Sequence, residues 1–138
     1  MSFLLDTNVV SELRRREPDR SVTAWFTSVR EADLYLSALV VGELRNGIER
    51  LARRDPDQAT PYDKWLADLV DLYGDRIVPV TAEIADTWGR LNVPDTLPVV
   101  DGLMAATALV HDWTLVTRNT ADVRRSGVRL LDPFEPRE

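Results

Sequence analysis

Three acidic residues of this sequence stand where a carboxylate is costly. Asp6 directly follows the apolar run 3–5, and Asp101 is the only ionisable residue in the apolar segment 97–110. Glu43 interrupts a third apolar segment. An unpaired carboxylate on an apolar face either costs several kcal/mol or takes up a proton, so a helix that keeps one usually has something to bind it. The candidates for that partner are a metal ion and a buried arginine.

Each of the three acids also has a purely structural explanation. Asp6 could cap a helix that follows it, because aspartate is a favoured N-cap residue. Glu43 could belong to a solvated polar face of its own helix. Asp101 could serve the dipole of a helix that begins near residue 98. The sequence leaves these alternatives open for each residue taken alone.

Taken together, the three acids suggest a cation site. They come from separate elements, and two carboxylates about 5 Å apart repel each other by roughly 3 kcal/mol at an effective dielectric constant of about 20. A divalent cation would offset this repulsion, and ligands that are all oxygen favour Mg²⁺ or Mn²⁺ over zinc. A metal held by carboxylates with open water positions suits hydrolysis of a phosphodiester bond.

Apolar runs alternate with segments of helical spacing along the chain. Strands are predicted at 3–5, 34–36, 77–78, 114–117 and 128–131. Helices are predicted to about 16 after the first strand, then over 21–29, 39–51, 62–73, 81–91 and 98–111, with a break at 55–57 and a short helix after 119. This alternation predicts one α/β domain over residues 1–138, with a mostly parallel sheet and helices on both faces. Ligands of such sheets bind beyond the carboxyl ends of the strands, where Asp6 and Thr117 stand.

The composition excludes several kinds of site. The 138 residues contain no cysteine, one histidine and one lysine. Disulfides, iron–sulfur ligation, two-histidine zinc sites and P-loops are therefore excluded. The net charge of −6 argues against a broad basic surface for nucleic acid, although arginines cluster at 14–16, 53–54 and 124–125. No run is long and apolar enough for a membrane span, and the first residues do not resemble a signal peptide, so we expect a cytoplasmic protein.

Four segments of the sequence resemble the PIN-domain ribonuclease toxins of the VapC type. They are LLDTNVVSEL, SALVVGELRNGIERL, PVVDGLMAATAL and TLVTRNTADVRRSGVRLLDPF, and in this order they cover essentially the whole chain. The resemblance implies a three-layer α/β/α fold and an endoribonuclease that depends on Mg²⁺ or Mn²⁺. It also implies a toxin that acts on cellular RNA such as tRNA or rRNA, a cognate antitoxin that blocks its site, and a homodimer.

The resemblance also assigns site residues. The first three metal-site acids of the family match Asp6, Glu43 and Asp101. The supporting polar positions match Thr7, Asn8, Thr117 and Asn119. Some members carry a further catalytic acid where this chain has Asn119, and others have an asparagine there and the acid three residues later, which matches Asp122. Asp122 is also explained as a surface acid in a first helical turn.

These residues lead to a hypothesis for the reaction, in which water attacks an RNA phosphodiester in line with the leaving 3′ oxygen. Asp6 and Asp101 would bind the metal directly or through water, and Glu43 would position the water or the hydration shell of the metal. Arg45 and Arg118 lie next to motif residues and are candidates for holding phosphates, although solvation of a helix end explains each equally well.

Two other functions fit parts of the pattern. A non-catalytic PIN module would bind RNA or a protein partner, and an asparagine at position 119 would be the sign of lost activity. Retention of the three other acids argues against it. A phosphatase or phosphoacceptor domain would use Asp6, but haloacid-type phosphatases carry a second aspartate two residues later, where this chain has Asn8.

Overall fold

Short runs of buried leucine and valine form a five-stranded sheet at the centre of the protein. The computed structural model describes residues 1–136. The strands are β1 (Phe3–Leu5), β2 (Leu34–Ser37), β3 (Ile77–Val78), β4 (Thr114–Val116) and β5 (Leu130–Leu131). They lie in the order β3-β2-β1-β4-β5, and every neighbouring pair is parallel. The prediction of a mostly parallel sheet is confirmed.

The central strand β1 is apolar on both of its faces. Leu4 and Leu5 are both fully buried, as is Val116 on the neighbouring strand. A strand with side chains of this kind on both faces needs a layer of helices on each side. One layer brings together the first four helices and the other brings together the last three, so that the fold has the predicted three layers.

Seven α helices connect and cover the strands within the described residues. They are α1 (Thr7–Leu13), α2 (Arg20–Ser28), α3 (Ala38–Arg54), α4 (Pro56–Tyr73), α5 (Ala82–Leu91), α6 (Val99–His111) and α7 (Thr120–Val123). At the starts of α1 to α5, a side chain accepts a hydrogen bond from a free backbone N–H group, as the predicted cap Thr81 does from the N–H of Ile84. None of these helices is long and apolar enough to cross a membrane.

Two helix boundaries differ from the prediction for identifiable reasons. Helix α1 ends at Leu13 rather than near residue 16, because the carboxylate of Glu12 accepts a hydrogen bond from the backbone N–H of Asp19 (2.8 Å) and so holds a turn. The predicted break at 55–57 is confined to Asp55, so that α4 begins at Pro56 rather than near residue 62. The carboxylate of Asp55 accepts a hydrogen bond from the N–H of Gln58 (3.1 Å), and Pro56 occupies the first helical position, where no N–H is needed.

The path of the chain creates a crevice at one edge of the sheet. From β1 the chain moves outward to β2 and β3, and then returns to the other side of β1 as β4. The reversal lies between β1 and β4, and such a switch point is where α/β sheets bind their ligands. Asp6 and Thr117 directly follow these two strands, so that both stand at the crevice.

Candidate active site

Four carboxylates lie around the carboxyl edge of the sheet. Asp6 follows β1, Glu43 lies on α3, Asp101 lies in the first turn of α6 and Asp122 lies in α7. Burial raises the pKa of Asp101 above its ordinary value, and the negative charges of Asp6, Asp122 and Glu43 raise it further. The three other predicted acids are therefore close enough to Asp101 to repel its charge.

Asp6 is the most firmly held of the four acids. Its side chain is only 6% exposed. The hydroxyl of Thr117 donates a hydrogen bond to Oδ2 of Asp6 (2.6 Å), and the side-chain amide of Asn8 donates to the same oxygen (3.2 Å). The backbone N–H of Thr7 donates to Oδ1 (2.8 Å). These three donors compensate the buried charge and fix its direction. Asp6 does cap α1, and the cap leaves its role in a metal site a prediction.

Glu43 reaches the site from an exposed position. Of the alternatives that the sequence left open for Glu43, the solvated face is the one that occurs, since Glu43 is exposed together with Asn46 and Arg50. It still takes part in the site, because the hydroxyl of Thr7 donates a hydrogen bond of 2.5 Å to its Oε1. This contact ties α3 to the residue that follows Asp6.

The two candidates for the fourth acidic position follow β4, Asn119 in the loop and Asp122 in α7. Asn119 donates its backbone N–H to the hydroxyl of Thr117 (3.0 Å), and its side chain is exposed. The charge of Asp122 acts on Asp101. The side-chain oxygen of Asn8 accepts a hydrogen bond from the backbone N–H of Arg118 (3.3 Å), which joins this loop to α1.

No basic side chain neutralises this group of acids in residues 1–136. The ion pairs of that part of the chain lie elsewhere and involve none of the four carboxylates. Arg45, which the sequence suggested for phosphate binding, instead pairs with Asp63 (2.6 Å) and Glu49 (3.5 Å). The site therefore has an excess of negative charge that a cation would relieve.

The donor set fits a hard divalent cation that keeps part of its water shell. Across residues 1–136, no three carboxylate, histidine or cysteine side chains are close enough together to hold one metal ion as they stand. Mg²⁺ is usually bound by one or two protein carboxylates and retains several waters, so it does not need such a cage. The buried, oriented Asp6 and the half-buried Asp101 are the carboxylates best placed for this role.

Helix α6, which contains Asp101, is set against α5 by a close contact that the sequence did not predict. A Cβ atom on Gly102 would lie 3.1 Å from Cδ1 and Nε1 of Trp88 and 3.3 Å from Cβ of Leu97. The indole N–H of Trp88 is buried and has no hydrogen-bond partner among the described residues. The one signal in the sequence for this contact is that Gly102 directly follows Asp101. A glycine there indicates room for another element to approach closely, but it does not indicate which element.

We expect the substitution Gly102→Ala to lower the free energy of unfolding by about 1 kcal/mol. The overpacking against Trp88 costs about 1–3 kcal/mol, and the better helix propensity of alanine returns less than 1 kcal/mol. Chemical denaturation measures the change. Gly47→Ala is the matched control, since a Cβ there meets nothing within 4 Å; this variant should be stabilised. Equal effects at the two glycines would contradict the role given to Trp88.

Comparison with known proteins identifies the family. The family model of the PIN domain matches residues 3–126. The chain belongs to the PIN-domain family. This PIN domain is 32% identical to the VapC ribonuclease Y4jK of Sinorhizobium fredii, over 97% of the chain and 99% of that protein. It is also 32% identical to the toxin FitB of Neisseria gonorrhoeae, over 96% and 98% of the two chains.

A solved structure agrees with this assignment. The crystal structure of FitAcB from Neisseria gonorrhoeae superposes on the PIN domain with a TM-score of 0.89 at 31% identity, covering 97% of this chain and 99% of that one. The PIN domain is therefore of the VapC type, as the four sequence segments suggested. The model of the family spans all four of the predicted acids.

Proposed function

We propose that this PIN domain is an endoribonuclease toxin that hydrolyses RNA phosphodiester bonds with the help of Mg²⁺ or Mn²⁺. The observation that carries the proposal is the group of four carboxylates at the switch point of the sheet, without a basic partner among the described residues. The names of its relatives, a VapC ribonuclease and a toxin, support the choice of substrate and of biological role.

The proposed roles follow from how each acid is held. Asp6, fixed by three hydrogen bonds, and Asp101, half-buried and otherwise unpaired among the described residues, would hold the cation directly or through water. When bound, the cation would activate water and neutralise charge on the phosphate. Thr117 and Asn8 keep Asp6 in place, and a site whose metal ligand loses its orienting partner typically loses about 10- to 100-fold in metal affinity or activity.

Glu43 and Asp122 complete the proposed machinery. Oε1 of Glu43 is engaged by Thr7, which leaves Oε2 to orient a water molecule. The water oxygen would form the new bond to phosphorus and lose a proton to bulk water, the bond to the 3′ oxygen would break in line with it, and the 3′ oxygen would take up a proton from bulk water. Asp122 is proposed for the fourth acidic position because its charge acts on Asp101, whereas Asn119 supports Thr117 through its backbone.

The test is an incubation of purified protein, free of any partner, with total cellular RNA and Mg²⁺ or Mn²⁺. Discrete cleavage that EDTA abolishes is expected, and the ends of the fragments would show whether tRNA or rRNA is cut. Metal-independent cleavage would contradict the proposed use of the cation. Metal-dependent stabilisation of the protein without cleavage of any RNA would favour a module that only binds RNA or protein.

A cognate antitoxin is the proposed partner, and an apolar groove is the surface proposed for it. The groove has a volume of about 230 Å³. It is lined by Val10, Leu13, Phe26, Trp65, Leu69, Leu72 and Tyr73, which belong to α1, α2 and α4. A groove of this kind between helices accepts the apolar face of an amphipathic helix.

Pairing of two copies into a homodimer is a separate prediction. Light scattering of the purified protein would test it.

We expect Leu72→Glu to weaken binding of the cognate antitoxin about tenfold or more. Leu72 is 60% exposed, so the fold should tolerate the charge, whereas an apolar helix face would not. The measurement is inhibition of RNA cleavage on titration with purified antitoxin. Val93→Glu is the matched control, because Val93 is 75% exposed and lies between α5 and α6, away from the groove. Equal inhibition of both variants would rule this surface out.

A further inference from the structure

A second cleft lies beside the acidic site and is rich in arginine. It has a volume of about 370 Å³. The residues that line it are Asn8, Ser11, Glu12, Arg14, Arg15, Arg16, Tyr62, Arg118 and Phe134. Four arginines of a protein with net charge −6 therefore line one cavity. We call this cavity the arginine cleft.

Among residues 1–136, acidic partners do not neutralise the arginine cleft. Glu12 is the one carboxylate among the described residues that line it, and it is engaged by Arg15 (3.3 Å) and by the backbone N–H of Asp19 (2.8 Å). Within residues 1–136, Arg14, Arg16 and Arg118 form no ion pair. The arginine cleft therefore keeps an excess of positive charge, next to a site with an excess of negative charge.

Aromatic rings hold two of these arginines in place. The guanidinium carbon of Arg14 lies 4.4 Å from the ring centre of Tyr62 and 5.3 Å from that of Trp65. The guanidinium carbon of Arg118 lies 4.3 Å from the ring centre of Phe134. An arginine on an aromatic face uses its own face for that contact, and its in-plane N–H groups remain free to donate to a phosphate.

Asn8 joins the arginine cleft to the acids. Its side-chain amide donates to Asp6, and its side-chain oxygen accepts from the backbone N–H of Arg118. Arg118 also directly follows Thr117, whose hydroxyl donates to Asp6. A strand whose phosphodiester lies at the acids would therefore run directly into the arginine cleft.

We propose that the arginine cleft binds backbone phosphates of the RNA strand on one side of the bond that is cut, with Arg118 nearest the acids and Arg14 farther along. This inference rests on the proposed ribonuclease function. The rings beneath the two arginines are covered, so bases cannot stack on those faces, and the cleft binds the backbone rather than reading the sequence. A flexible single strand is the substrate class that fits, because a cleft of this size follows one backbone.

The test measures RNA binding in the Asp101→Asn background, where cleavage is expected to be negligible. A short fluorescein-labelled single-stranded RNA is titrated at several salt concentrations, and fluorescence anisotropy gives the affinity. For single strands, each phosphate contact contributes about 0.7 to the slope of log affinity against log salt. We expect Arg118→Ala and Arg14→Ala each to reduce the slope by about 0.7, to the same extent for RNAs of different sequence.

Two further variants test whether the effect depends on where the arginine lies and on the ring that supports it. Arg30→Ala removes an exposed arginine just before β2, at the opposite edge of the sheet, and should leave slope and affinity unchanged. Phe134→Leu keeps all charges but removes the ring beneath Arg118, so the slope should stay constant while the affinity falls about two- to fivefold. An unchanged slope in both Arg118→Ala and Arg14→Ala would overturn the inference, as would a wild-type protein that binds no RNA.

The outcome for the arginine cleft is distinguishable from that for the proposed function. If the arginine variants reduce the salt slope but the wild-type protein cleaves no RNA with Mg²⁺ or Mn²⁺, phosphate binding stands and the ribonuclease proposal fails. If the wild-type protein cleaves RNA, the same variants should raise KM more than they lower kcat. Cleavage with unchanged KM in both variants would keep the ribonuclease proposal and overturn the role of the arginine cleft.

Discussion

Asp101→Asn is expected to reduce RNA cleavage at least about 100-fold while making the protein more stable. The substitution keeps the size of the side chain and removes its charge. Loss of a partner that only orients a metal ligand typically costs 10- to 100-fold, so loss of a proposed ligand should cost more. The stability gain should be about 0.5 kcal/mol, or about 2 °C in Tm, which is small because solvent screens a half-exposed carboxylate.

The stability gain should depend on pH in a direction fixed by the pKa of Asp101. Burial and the neighbouring acids raise this pKa in the folded protein above its ordinary value of 3.8, so the folded state binds the proton more tightly than the unfolded state. The ionised carboxylate therefore destabilises the fold at every pH above the raised pKa. The advantage of asparagine should be fully present there, and should vanish as the pH falls below 3.8.

Thermal unfolding over a range of pH, together with RNA cleavage, measures both effects. Asp71→Asn is the control, because Asp71 is exposed on α4 and forms no ion pair among the described residues. It should leave cleavage unchanged. Saturating Mg²⁺ should raise the Tm of the wild-type protein and have little effect on Asp101→Asn. If Asp101→Asn cleaves RNA as well as the wild-type protein does, Asp101 is not a ligand of the proposed metal site.

Thr117→Val should reduce cleavage about 10- to 100-fold and lower the free energy of unfolding by about 1–3 kcal/mol. Thr117 is 1% exposed, and its hydroxyl donates a 2.6 Å hydrogen bond to Oδ2 of Asp6. Valine preserves the shape of the side chain but removes one of the hydrogen-bond donors to the buried carboxylate of Asp6. A buried charge that loses a donor is left with a desolvation penalty that is no longer compensated. Removal of a group that orients a metal ligand typically weakens metal binding and activity about 10- to 100-fold, which sets the expected loss of cleavage.

Two substitutions test whether the hydroxyl itself is responsible. Thr117→Ser keeps the donor and should retain most of the activity, at a modest cost in packing. Thr107→Val removes a buried hydroxyl that bonds only to the carbonyl of Leu103 in its own helix (2.7 Å), so cleavage should not change. If Thr117→Val and Thr117→Ser behave alike in the cleavage assay, Thr117 serves packing rather than the orientation of Asp6.

The strands and most of the helices could be predicted because their signals are local. The apolar run Phe3–Leu5 and the cap at Thr81 have no strong competing explanation, and both occur as predicted. The break after α3 occurs, but the start of α4 was predicted too late, because the same aspartate and proline that end one helix are equally suited to begin the next. The end of α1 depends on Glu12 reaching the backbone of Asp19, which is a tertiary contact that periodicity does not encode.

The site was predictable in its acids and less so in its contacts. Asp6 and Asp101 stood out because a charge among apolar residues is conspicuous in any sequence. Glu43 shows the limit of that argument, since it lies on the solvated side of its helix and joins the site through Thr7. The sequence does not show which arginines are free to bind phosphate, because the ion pairs that an arginine forms depend on the fold. Arg45 is paired with Asp63, and Arg118 is placed over a ring.

The order of the strands also determines when during synthesis the site can exist. Asp6 is made among the first residues, but Thr117, which orients it, comes 111 residues later, and β1 lacks one neighbour until β4 has been made. A chain still growing on the ribosome therefore cannot complete the site, however well its first helices form. The fold itself therefore delays assembly of the proposed site until the chain has been made past β4.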